Sequence, residues 1–134
     1  FSLAGLRLGY AIGAPDLIGA LYKLKDSYNV DRLAQQVALA ALEDLPWMEG
    51  NARQIVATRE RVAAELAKRG FKVVSSASNF LFIEPPAGVS AAVLFARLRT
   101  NKILVRYFPG GRTDNHLRVS IGTDAQMDAF LAAL

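Results

Sequence analysis

The chain of 134 residues contains no cysteine. That excludes a disulfide framework and any thiolate metal site, and it suits a cytoplasmic protein. A single histidine, His116, leaves no means of building a zinc cluster or a Cys–His nucleophilic pair. No apolar run reaches the roughly 18 residues of a membrane span. The start shows no charged, apolar and small-residue succession of a signal peptide. It opens on Phe1 rather than Met and reads as cut from something longer. The glycines of AGLRLGYAIG fit neither G-x-G-x-x-G before a helix nor a Walker loop with its lysine. Glu84 stands before two prolines with no evident carboxylate partner for glycosidase-type acid–base work. His116, beside a turn, reads as a surface imidazole rather than a base.

Hydrophobic residues make up 52% and charged residues 21%, which describes a soluble globular protein of about one domain, or one domain with a piece of another. The net charge of +4, from 16 basic residues, would permit nucleic-acid binding, so the pattern matters more than the sum. Arg53, Arg59, Arg61, Lys68 and Arg69 share one stretch with Glu49, Glu60 and Glu65. That mixture is the signature of a solvated helix face, and no aromatic interleaving supports a stacking platform. Neither nucleic acid nor a membrane is an expected partner.

Leu6 to Ile12 reads as a strand apolar on both faces. Pro15 and Asp16 then suit the first turn of a helix carrying Leu17, Leu21 and Leu24. After the polar break DSYNVD, residues Leu33 to Leu42 give an apolar helical stripe, which Pro46 ends or bends. A further helix over about Trp47 to Arg69 stops at Gly70. Beyond it the texture changes to short strands at Phe71–Val74, Asn79–Glu84, Ile103–Phe108 and Leu117–Ile121. Two helices accompany them: one from Ser90 to about Thr100 with Ser90 as cap, and a last one opened by a Thr123/Gln126 capping box. Residues 71–134 thus read as an α+β unit.

Three arginines stand in predicted strands rather than on helix surfaces: Arg7, Arg106 and Arg118. In HLRVSIG the residues Leu117, Val119 and Ile121 alternate with Arg118 and Ser120, so one face is apolar and the other offers a guanidinium beside a hydroxyl. A permanently charged planar fork is suited to carboxylate or phosphate. An arginine snorkelling from a half-buried strand has the same spacing.

LAGLRLGY resembles the stretch after the Schiff-base lysine in class I/II pyridoxal-phosphate-dependent aminotransferases, in particular the histidinol-phosphate aminotransferase subgroup. YNVDRLAQ, SNFLFIE, ILVRYF and HLRVSIGT resemble later blocks of that subgroup in the same order, so the likeness covers essentially the whole chain. It implies an α/β fold of fold-type-I PLP-dependent transferases. The chain would be its C-terminal portion: the end of the large cofactor domain (1–45), a connecting helix (46–70) and a small α+β domain (71–134). It also implies a cytoplasmic homodimer that binds pyridoxal 5'-phosphate and exchanges an amino group between small amino and keto acids. The substrate class that the resemblance implies is histidinol phosphate, in histidine biosynthesis, or an aromatic amino acid. By the same resemblance Arg7 holds the cofactor phosphate, Arg118 the substrate's acidic group, and Arg106 contributes to substrate recognition; Asn29 aligns with a Tyr-Asn pair and receives no role. The lysine is expected two residues before Phe1, so the chain alone is expected to be inactive. Two other readings stay open: a lyase or decarboxylase of the same fold, and a stand-alone module that binds a small anion.

Overall fold

Apolar residues at alternate positions bury one face of a strand and leave the other wet, and Leu81, Ile83, Leu117 and Val119 are so placed. In the computed structural model, which describes residues 1–134, they are buried at the centre of a four-stranded sheet. The strands are β1 (Lys72–Val74), β2 (Phe80–Glu84), β3 (Arg106–Tyr107) and β4 (Leu117–Ser120). Their order is β1-β2-β4-β3, antiparallel throughout. The helices are α1 (Pro15–Leu24), α2 (Arg32–Glu43), α3 (Leu45–Lys68), α4 (Ala91–Thr100) and α5 (Asp124–Ala132). The chain forms two units, residues 1–50 and 51–134.

The second unit holds the core. Val62 and Leu66 of α3, Ala91, Leu94 and Leu98 of α4, and Met127, Phe130 and Leu131 of α5 close over the inner side of the sheet. Helices on one face of an antiparallel sheet make the α+β layer arrangement the sequence predicts. Gly70, at φ +82, turns the chain out of α3. Phe71 N donates to Leu66 O and Gly70 N to Ala67 O, a Schellman closure that needs the left-handed residue. The Thr123/Gln126 capping box forms as predicted.

Two local expectations are corrected. Ser90 sits at the α4 N-cap but makes no side-chain bond there; Asn115 Oδ1 accepts from Ala91 N at 2.9 Å instead. A residue 24 positions away thus does the capping, which no local pattern reveals. The basic face of α3 is not wholly solvated either. Arg59 is buried, with Nη1 donating to Ser78 O at 2.8 Å and Nε and Nη2 to Glu60 Oε1. Arg61 reaches both Asp124 and Asp128, and Thr58 Oγ1 donates to Asp124 Oδ1. These bonds tie α3 to α5.

In the first unit, α1 begins with Pro15 and α2 is capped by Asp31, whose Oδ1 accepts from Ala34 N. The expected strand over Leu6–Ile12 does not form. A 3-10 turn covers Ala4–Leu6, and residues 7–14 have no regular structure. A strand exists only where another strand completes its hydrogen bonds, and residues 1–50 contain none. Ala34 is the only buried residue of this unit, so the apolar faces of α1 and α2 lie open.

Phe130 is 2% exposed within the core. Phe130→Ala is expected to destabilise the protein by about 3–5 kcal/mol, read as a lowered urea midpoint with an unchanged slope; an unaltered midpoint would take the ring out of the core.

Candidate anion-binding site

The alternation that buries Leu117 and Val119 turns Arg118 and Ser120 outward, and both are exposed. Antiparallel register places Phe82 and Arg106 on either side of Arg118, and Phe80 opposite Ser120. Directly opposed residues share a face. The outer face at this end of the sheet therefore carries two guanidiniums among aromatic rings. Arg118 Cζ lies 5.5 Å from the Phe80 ring centroid and 5.7 Å from that of Phe108. Arg106 Cζ lies 5.4 Å from the same Phe108 centroid. Neither arginine has a carboxylate partner.

Like charges directly opposite on a sheet repel, so an unneutralised Arg106–Arg118 pair is an arrangement that an anion would relieve. Arg106 does not lie inside a strand over Ile103–Phe108, as the sequence suggests; it begins β3, a two-residue strand. Ile103–Val105 lie outside the ladder. They follow the left-handed Lys102 at the end of α4, where Ile103 N closes on Leu98 O.

The loop after β3 folds back on itself. Asp114 Oδ1 accepts from Tyr107 Oη at 3.0 Å and from Gly110 N at 2.8 Å. Thr113 Oγ1 donates to Phe108 O and to Gly110 O. The Gly110 amide, and then the Tyr107 hydroxyl, hold the Asp114 carboxyl below its ordinary value. Burial, and then the Asp114 carboxylate, raise Tyr107, which keeps its proton as the donor.

At the other end of this face Glu84 pairs with Lys72 at 3.1 Å. The Lys72 bond is the main cause of its lowered carboxyl, despite partial burial. His116 stacks on Phe82, with ring centroids 4.7 Å apart and planes 9° off parallel. It is half-buried rather than a free surface imidazole, and its Nδ1 has no hydrogen-bond partner.

Arg7 belongs to the first unit. It closes the 3-10 turn in the left-handed region at φ 56, its backbone N–H donating to Ala4 O, and its one side-chain hydrogen bond is Nη1 to the same Ala4 O at 3.4 Å. The conformation costs about 1–2 kcal/mol for an L-residue, and the guanidinium is exposed with no carboxylate beside it. Asn29 accepts from Lys25 Nζ at 3.3 Å. No group of three or more His, Asp or Glu side chains gathers as a metal site, and no helix is long and apolar enough to cross a membrane.

Of the residues singled out from sequence, Arg106 and Arg118 are cross-strand neighbours, and Arg7 lies on a separate unit. Phe108 was missed, although its signal was present: it stands two residues after Arg106, on the same side of an extended segment. Phe80 becomes visible only once the β2–β4 register is known.

The layered α/β architecture is that of part of a fold-type-I pyridoxal-phosphate-dependent transferase. The family model for aminotransferase class I and II matches residues 1–134, and the chain belongs to that family. It is 51% identical over 133 residues to histidinol-phosphate aminotransferase of Clostridium acetobutylicum, covering 97% of this chain and 38% of that protein. The crystal structure of histidinol-phosphate aminotransferase from Clostridium acetobutylicum superposes with a TM-score of 0.86 at 29% identity, covering 100% of this chain and 41% of the other. The Sinorhizobium meliloti histidinol-phosphate aminotransferase, in complex with pyridoxal-5'-phosphate, gives 0.83 at 29% identity, covering 98% and 36%. The chain thus spans about two-fifths of the length of the relatives it matches.

A group whose carboxyl is depressed in the folded state contributes stability that is full above its unfolded value, about 3.9 for aspartate, and is lost as pH falls through the depressed one. Asp114 is such a group. The unfolding midpoint is expected to fall on acidification below about pH 4, and Asp114→Asn to fall less over the same range. Parallel midpoint curves for the two proteins would remove Asp114 from the acid response.

Proposed function

We propose that this chain is the C-terminal portion of a PLP-dependent aminotransferase acting on histidinol phosphate or an aromatic amino acid. Residues 1–45 would end the large cofactor domain, 46–70 would connect, and 71–134 would be the small domain. The observation that carries the reading is the Arg106–Arg118 pair: two guanidiniums in register on an open sheet face, backed by aromatic rings and lacking carboxylates. Such a pair is suited to the phosphate or carboxylate of a small acidic substrate. The identity to histidinol-phosphate aminotransferases supports the substrate class. The open apolar faces of residues 1–50 support membership of a larger domain, whose remaining residues would cover them.

Arg7 has the chemistry for a cofactor phosphate. Its donors are exposed and nearly unengaged, with no competing carboxylate, and the turn fixes its backbone. When bound, pyridoxal phosphate supplies the electron sink for amino-group exchange. The residues of this chain would anchor and orient: Arg7 at the cofactor phosphate, Arg118 at the substrate's acidic group, and Arg106 beside it. The lysine that the family places before the LAGLRLGY-like stretch would come from the rest of the protein. On this reading, activity needs the full-length chain, acting as a cytoplasmic homodimer.

The test is the full-length protein incubated with histidinol phosphate and 2-oxoglutarate, where glutamate formation is expected. No glutamate here, with carbon dioxide released from an aromatic α-amino acid offered instead, would favour a decarboxylase, since histidinol phosphate has no carboxylate to lose. In the active enzyme Arg118→Lys is expected to lower kcat/KM by about 2–3 kcal/mol in free-energy terms, because an ammonium does not reproduce a bidentate fork. An unchanged kcat/KM would remove Arg118 from substrate binding.

A further inference from the structure

We infer that Phe108 is a positioning residue, a shared aromatic plate that sets the spacing and tilt of Arg106 and Arg118 toward one ligand anion. The inference rests on the reading of that pair as the substrate-anion site. Both guanidinium carbons lie within 5.7 Å of the one Phe108 centroid. Arg118 has a second ring, Phe80; Arg106 has only Phe108. A guanidinium within about 6 Å of a ring centroid is attracted by the ring's quadrupole without giving it a hydrogen bond. Its five N–H donors therefore stay free for an acceptor. The ring therefore opposes the mutual repulsion of the two cations without consuming the donors that a phosphate or carboxylate needs.

The plate is itself held. Tyr107, the residue before it, donates to Asp114; the Phe108 carbonyl accepts from Thr113 Oγ1; and Gly110 N donates to Asp114. The fold-back passes through Gly110 and Gly111 at φ +94 and +64, values that L-residues with a Cβ rarely adopt. Asp114 thus holds the Tyr107 side chain before Phe108 and the Gly110 amide after it while lying outside the anion site. Two long flexible side chains become one pre-ordered anion trap, and pre-ordering acts on ligand affinity.

In the full-length enzyme Phe108→Leu is expected to raise KM for histidinol phosphate about tenfold with kcat nearly unchanged. Phe108→Tyr, which keeps the ring, should restore the wild-type KM. In an Arg106→Gln background the Phe108→Leu effect should shrink, because the plate then has one cation fewer to hold. Should Phe108→Leu fail to fold, Asp114→Asn carries the test, with a smaller rise in KM and the same kcat. A Phe108→Leu enzyme with wild-type KM, while Arg118→Lys raises KM, overturns the role of Phe108 and leaves the anion site standing. If Arg118→Lys also leaves KM unchanged, the site reading itself is overturned. Equal losses in kcat/KM from Phe108→Leu in the wild-type and Arg106→Gln backgrounds would reduce Phe108 to packing.

Discussion

The pairing of β2 with β4 is the constraint on which the rest of the second unit depends. In its register Leu81 lies opposite Val119 and Ile83 opposite Leu117, all facing inward, while Phe80 and Phe82 face outward with Ser120 and Arg118. A slip of one residue would send every inward side chain to the wet face. It would drive a guanidinium into a layer formed by Val62, Leu66, Leu94, Leu98 and Phe130, where a charge without a partner is costly. The hydrophobic effect therefore fixes the register, and the register brings together the residues of the proposed anion site. Arg118 stands in the open because Leu117 and Val119 are buried. Arg106 comes to its side because β3 joins the free edge of the same strand.

Much of this second unit was legible in the sequence. The alternation of Leu117 to Ile121, the capping box at Thr123 and Gln126, and the stop at Gly70 each rest on a few neighbouring residues, and all three appear as read. What escaped has its cause at a distance. Asn115 caps α4 from another loop. Arg59 leaves an otherwise charged helix face to bind the Ser78 carbonyl. The span Leu6–Ile12 has the composition of a strand, but composition supplies only the preference; the ladder has to come from a partner segment. Arg7 was accordingly placed in a buried strand and is found exposed at the end of a 3-10 turn. The family resemblance named it as a phosphate ligand without depending on that strand, and the position is as consistent with anchoring in a turn as in a sheet.

The carboxylates pair with other basic residues and leave the arginines of the proposed anion sites without an acidic partner, as they also leave Arg32, Arg99 and Arg112. Arg61 takes both Asp124 and Asp128, Lys72 takes Glu84, Lys68 takes Glu65, and Arg59 is shared between Glu60 and a backbone carbonyl. Asp114, the acid of the loop next to Arg106, is turned inward to Gly110 and Tyr107 rather than outward to a guanidinium. Arg106 and Arg118 are left with rings, and Arg7 with the carbonyl of Ala4. Exposed ion pairs contribute about 0–1 kcal/mol each, so denying carboxylates to these three sacrifices little stability. Each withheld partner keeps a permanent positive charge and an open set of donors at the surface. For Arg106 and Arg118 the aromatic plate replaces the missing carboxylate in the one respect that matters for recognition, since it steadies the cations while leaving their charge unspent.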